Sequence, residues 1–155
     1  RLRWGLVLAG PGMIWSNEAL VQLLQAEGIV DQTRLLGQRR DIAGVMSALD
    51  VHLLSSSAEA FPNVVAEAMA CETPCVATDT GDVGLIIGPT GWVVPPRDPL
   101  GFAAAIEAAM LASLDEPSWT IRQHAARERI EACFSLHRMV QAYSRVWLDV
   151  HSELP

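Results

Sequence analysis

Apolar residues in this chain follow two rhythms. Short runs rich in Val, Leu and Ile alternate with longer stretches whose apolar positions recur every three or four residues, and that alternation predicts a parallel sheet with helices on its faces. The run from Leu2 to Ala9 reads as a first strand, closed by Gly10-Pro11-Gly12. Asn17 then stands at a helix start, followed by Leu20, Leu23 and Leu24. Thr33 to Leu36 is a second strand ended by Gly37, and Asp41 caps a helix carrying Ile42, Val45, Met46 and Leu49. Val51 to Leu54 is a third strand. Pro74 to Ala77 is a fourth and Gly91 to Val94 a fifth, after which Pro95 and Pro96 end the sheet. Between the third and fourth strands, Phe61-Pro62-Asn63 opens a helix with Val64, Val65, Ala68 and Met69 as its buried stripe.

From Pro99 onward strands disappear and three helices fill the chain. Phe102, Ile106, Ala109 and Met110 mark one, and Ile121 to Phe134 the second. The third shows Leu136, Met139, Val140, Tyr143, Val146 and Trp147, an alternation that predicts one buried face with Tyr143 and Trp147 in the core. The expected architecture is an α/β fold, a doubly wound parallel sheet with a C-terminal helical tail, in a single domain spanning 1–155. In such sheets ligands bind beyond the carboxyl ends of the strands.

Composition narrows the picture. Half of the 155 residues are apolar, enough for one sizeable core, and no apolar run approaches the about 18 residues of a bilayer span. A net charge of -7 and a pI near 4.9 argue against a nucleic-acid partner, whose phosphates demand a basic face. All 11 cations are arginine, so any contact with a phosphate is local and without lysine. Cys71, Cys75 and Cys133 match no zinc or disulfide spacing and read as buried free thiols, which fits a reducing cytoplasm. His52, His124, His137 and His151 show no consistent metal spacing, and each reads as structural or as surface. The chain starts at Arg1 without a methionine and enters a strand at once, which reads as a piece of a longer protein.

Candidate chemistry concentrates between Ser55 and Met69. Glu59 lies in the loop leaving the third strand, and Glu67 follows eight residues later, inside the second turn of the next helix. Between them the unpaired backbone N–H groups near Asn63, Val64 and Val65 form a helix N-terminus at a strand's carboxyl end, where a phosphate is favourably held. Two readings stand side by side. One is an anion site flanked by two hydroxyl-binding acids, which suits a sugar nucleotide. The other is structural: Glu67 complements the helix dipole and Glu59 is a solvated loop acid. Gly10-Pro11-Gly12 resembles a dinucleotide loop only in part, since the third glycine is absent and Gly37 stands where an acid would end the next strand.

The stretch Glu59-Ala60-Phe61-Pro62-Asn63-Val64-Val65-Ala66-Glu67-Ala68-Met69-Ala70-Cys71, followed by Thr73-Pro74-Cys75-Val76-Ala77-Thr78-Asp79, resembles the E-x7-E signature of the retaining GT-B glycosyltransferases called group 1 or family 4. Leu36-Gly37, Arg40-Asp41-Ile42 and Asp50-Val51 upstream, Thr90-Gly91-Trp92-Val93-Val94-Pro95-Pro96 and Asp98-Pro99 downstream, and the tail from Phe134-Ser135-Leu136 to Tyr143 extend the likeness over nearly the whole chain. The resemblance implies a Rossmann-like C-terminal domain that binds a nucleotide-diphosphate sugar, facing an N-terminal domain that carries most of the site for a glycan or lipid-linked acceptor. It places Glu59 beside the donor sugar as the catalytic residue, and Glu67 on the ribose hydroxyls. It assigns Phe61, Pro62, Asn63 and Val64 to bring backbone amides to the sugar and diphosphate. Arg39, with Arg40 at the crevice edge, is a candidate for the nucleotide, against a plain solvated helix start.

Transfer in such a family retains anomeric configuration without a bound metal or other cofactor, and Asp79 and Asp82 have the wrong spacing for an Asp-x-Asp motif. The implied setting is cytoplasmic, at the inner membrane face through the partner domain, in cell-envelope polysaccharide or lipopolysaccharide synthesis. Two departures matter. The family's arginine and lysine for the diphosphate come from a unit before Leu2 that this sequence lacks, and Gly81-Asp82-Val83-Gly84-Leu85 replaces Gly-Gly-x-Pro-Glu. These keep a second reading in play, a nucleotide-sugar-binding module of the same fold without turnover.

Overall fold

Short apolar runs rich in Val and Leu become strands, and stretches with three-four spacing become helices. The computed structural model describes residues 3–152, with side chains as far as residue 148, so Arg1, Leu2 and the side chain of His151 lie outside the described residues. The chain divides into two compact units, one ending at Ile42 and the other beginning at Ala43.

In the first unit, β1 (Leu6–Ala9) and β2 (Thr33–Gly37) pair in parallel, Leu6 beside Thr33 and Leu8 beside Leu35, and α1 (Glu18–Ala26) connects them. The first strand begins later than the apolar run suggests, where the Leu6 N–H donates to the Gln32 carbonyl at 2.8 Å. Asn17 caps α1 as expected: its side-chain oxygen accepts from Leu20 N–H at 3.3 Å, while its amide nitrogen donates to the Gly12 carbonyl at 2.9 Å. Leu24 is buried, but Leu23, expected beside it, faces water because it lies off the α1 stripe. Gly10-Pro11-Gly12 is a strand-to-helix turn, held by Gly10 N–H on the Gly37 carbonyl and Gly37 N–H on the Met13 carbonyl, each at 2.8 Å.

The second unit holds a parallel three-stranded sheet in the order β3 (His52–Leu54), β4 (Cys75–Thr78), β5 (Trp92–Val94). All four residues of β4 are buried, as a central strand covered on both faces requires. Val65, Ala68 and Met69 of α3 (Asn63–Ala70) are wholly buried. On α5 (Pro99–Ala112), the small residues Ala105 and Ala109 let the helix close onto Val76, with Val51, Trp92, Val94, Phe102 and Ile106 packed around them. α2 (Ile42–Ser47) carries the buried Met46, whose carbonyl accepts from the Thr73 hydroxyl at 2.8 Å. The fold is Rossmann-like α/β with a helical C-terminal tail, its strands grouped as two parallel sheets; β3, only three residues long, spends its ladder on β4.

Further expectations need correction. A short helix α4 (Val83–Ile87) and one 3-10 turn (Gly88–Thr90) follow β4, where the apolar pattern predicts no element. α6 (Glu116–Cys133) starts ahead of Ile121, because Asp115 and Pro117 set its first turn and Asp115 accepts from the Ser118 hydroxyl at 2.6 Å. α7 (Leu136–Ser152) buries none of its expected stripe: Tyr143 is 63% and Trp147 73% exposed, since no described element packs on that face. Among the cysteines, all free, only Cys75 is buried; Cys71 is half-buried and Cys133, near the end of α6, is exposed. No described helix is long and apolar enough to cross a membrane.

Candidate functional site

β3 delivers the chain into loop 55–62, and α3 receives it at the carboxyl end of the sheet. The loop is fastened in its first half by the Thr78 hydroxyl at the end of β4, which donates to the Ser56 carbonyl. Further along, the Asp82 N–H donates to the Ala60 carbonyl at 2.8 Å. Gly81 makes this approach possible: its φ is 55°, and a Cβ there would strike the carbonyl oxygens of Glu59 and Ala60. Asp79 and Asp82 thus sit in the turn between β4 and α4, as their spacing suggests.

Pro62 is buried and forms the N-cap of α3 with no side chain completing the cap. Val65 N–H turns back to the Pro62 carbonyl at 3.0 Å, while none of the described residues accepts from the amides of Asn63 and Val64. Both of these residues are exposed. For Val64 this corrects the expected stripe, which narrows to Val65, Ala68 and Met69 because Asn63 and Val64, the first two residues of α3, stand clear of the core. The result is a helix N-terminus with open donors and the positive end of its dipole at the surface.

Glu59 is half-buried in the loop and Glu67 is exposed on α3. No acid lies in the first turn of α3, and the dipole's influence falls off within that turn, so helix capping does not account for Glu67. The other end of α3 closes through Thr73 N–H on the Ala68 carbonyl and Glu72 N–H on the Met69 carbonyl, each 3.0 Å, with Glu72 in the left-handed region at φ 63°. Phe61 is partly exposed, and its ring meets that of Phe134 at 5.9 Å and 56°. In the first unit, Arg39 forks onto Asp41 with Nε–Oδ1 2.8 Å and Nη2–Oδ2 2.6 Å. That hydrogen-bonded pair lowers the Asp41 pKa and raises the Arg39 pKa. Asp41, expected to cap α2, is thereby engaged by Arg39.

Sequence reasoning missed the support behind the loop. Arg129 on α6 donates from Nε to the Ile86 carbonyl at 2.8 Å and from Nη2 to the Leu85 carbonyl at 2.6 Å, closing the end of α4. The guanidinium fills the space where Gly88, at φ 53°, would carry a side chain. The signal was present in Val83, Ile86 and Ile87, all wholly buried and at helical spacing. His52 is largely buried on β3 with its Nε2 unpartnered among the described residues, and burial lowers its pKa. Burial likewise raises the Cys75 thiol pKa, which leaves it inert. Among the described residues no three His, Cys, Asp or Glu side chains gather into a metal-holding group.

Three comparisons bear on this geometry. Residues 1–111 match the family model described as Glycosyl transferases group 1. N-acetyl-alpha-D-glucosaminyl L-malate synthase of Bacillus anthracis is 31% identical over 147 residues, 94% of this chain and 37% of that protein. O-antigen chain mannosyltransferase B of Escherichia coli is 30% identical over 121 residues, 77% of this chain and 30% of that protein. The Anabaena protein HepE, solved in complex with UDP, superposes with a TM-score of 0.80 at 21% identity, over 94% of this chain and 41% of its own. The chain thus spans about a third of the length of the curated relatives it matches. With the signature segment folded as an open helix N-terminus at the end of a parallel sheet, the chain belongs to the group 1 glycosyltransferases and has the fold of their GT-B C-terminal domain.

Proposed function

We propose that this chain is the donor-binding half of a retaining glycosyltransferase that moves a sugar from a nucleotide-diphosphate sugar to a glycan or glycolipid acceptor. The observation that carries it is the start of α3, where the amides of Asn63 and Val64 point no donor at any described acceptor and lie between Glu59 and Glu67. A diphosphate takes such donors without displacing a cap. In this reading Glu59 lies beside the donor sugar, Phe61 to Val64 face the sugar and diphosphate, and Glu67 accepts bonds from the ribose. Arg39, in the first unit, is a separate candidate for the nucleotide. No metal or other cofactor takes part, and a further N-terminal domain supplies the acceptor site. The UDP in HepE supports a nucleotide donor, and the O-antigen chain in the name of the mannosyltransferase relative supports a cell-envelope glycan as acceptor.

Calorimetric titration with UDP, GDP, ADP and their common sugar conjugates tests the reading. One nucleotide should bind selectively, and Glu67→Ala should weaken it by about tenfold. Glu59→Gln should spare nucleotide affinity and slow transfer by the full-length protein. Nucleotide binding with turnover absent from the full-length protein would favour the second reading, a binding module, which the departure at Gly81–Leu85 keeps open.

A further inference from the structure

Loop 55–62 is held within a closed circuit of contacts in the second unit. α4 holds the loop, through Asp82 N–H on the Ala60 carbonyl. α6 holds α4, through the Arg129 fork on the Leu85 and Ile86 carbonyls. The end of α6 then returns to the loop, where Phe134 lays its ring against Phe61. Phe134 is itself fixed as the C-cap of α6, its N–H on the Ile130 carbonyl at 2.9 Å. The polar fasteners act at Ser56 and Ala60, and beyond Ala60 the Phe134 ring lies against Phe61 before the buried Pro62 enters α3.

We infer that Phe134, backed by Arg129, is a positioning residue that sets Phe61 and with it the free amides of Asn63 and Val64. The inference takes its ligand from the donor-site reading but its geometry from the circuit alone. Loss of the ring loosens the stretch assigned to sugar and diphosphate. It leaves Glu67 in place, because α3 beyond Val64 is anchored by the buried Val65, Ala68 and Met69. A residue that merely fills space would not divide the site in this way.

The test uses the full-length protein and the variants Phe134→Ala, Phe134→Leu and Phe134→Tyr. The Leu variant keeps apolar volume and carries the test should the Ala variant fail to fold. Amide hydrogen exchange at Asp82 and Val65, which donate to Ala60 and Pro62, reports the loop without any ligand. Exchange should be about tenfold faster in Phe134→Ala, intermediate in Phe134→Leu and restored in Phe134→Tyr. Affinities for UDP-glucose, UDP-N-acetylglucosamine and GDP-mannose, set against UMP and GMP, give the second readout. The diphosphate sugar that binds should weaken by about tenfold and its monophosphate by less than about twofold. Unchanged exchange at both amides in a folded variant, or equal weakening of both ligands, overturns the positioning role. A wild-type protein that binds none of these nucleotides overturns the donor reading instead, while the exchange rates still decide the positioning.

Discussion

Helices α6 and α7 are neighbours in the chain and nearly equal in length, 18 and 17 residues. The apolar stripe is plain on α7 and faint on α6. Yet α6 is the docked helix: Trp119, Ala126 and Ile130 are buried, Trp119 stacks on Trp92 at 6.3 Å, and Arg122 lies over the Trp92 ring at 4.6 Å while donating to the Thr90 carbonyl at 3.2 Å. On α7, Leu136, Met139, Val140, Tyr143, Val146 and Trp147 are each at least half exposed. Periodicity states that a helix has a face to cover, and says nothing of whether the cover lies in the same chain. Docking, in turn, needs only a few anchors where arginine forks meet free carbonyls.

The comparison is broken most sharply at the two tryptophans. Trp119→Ala should cost about 3–5 kcal/mol of unfolding free energy in this chain, read by urea denaturation. Next comes Arg129→Ala, which leaves the Leu85 and Ile86 carbonyls without their fork and should cost about 1–2 kcal/mol, with lysine at that position recovering only part because it lacks the planar fork. Buried His52 extends the contrast to protons. Its pKa is lowered by burial, so above about pH 6.5 both folded and unfolded chains are neutral there and nothing is lost. As pH falls below that value the unfolded chain binds a proton that the folded one refuses, and stability declines until the folded pKa is reached. His52→Gln should flatten this acid-side slope in melts recorded across the range. The smallest effect belongs to α7, where Trp147→Ser and Tyr143→Ser should each change stability by less than about 0.5 kcal/mol. A large loss at either would show that the face is already covered.

Much of this was legible in the sequence. Five strands follow from Val, Leu and Ile runs, and the two glutamates with the helix start between them stand out because a strand's carboxyl end and a helix N-terminus meet there. The α4 turn was not legible, because Gly81, Gly84 and Gly88 read as loop residues and hide the spacing of Val83, Ile86 and Ile87. α6 was under-read for the reason already seen: guanidinium forks and a stacked indole leave no apolar periodicity. Val64 was misplaced by a single turn, since the first residues of a helix entering from a surface loop extend past the core that holds the rest. The roles of Phe134 and Arg129 depend on contacts between residues 43 to 73 positions apart, which no local pattern contains.

The tight fit at Gly81 bears on how such a domain can be re-engineered. With no room for even a methyl group between this residue and the carbonyls of Glu59 and Ala60, loop 55–62 and the turn 79–82 constrain each other's backbone path. A chimera that imports a relative's loop therefore keeps its fit only if glycine stays at position 81 and the imported carbonyls follow the path of Glu59 and Ala60.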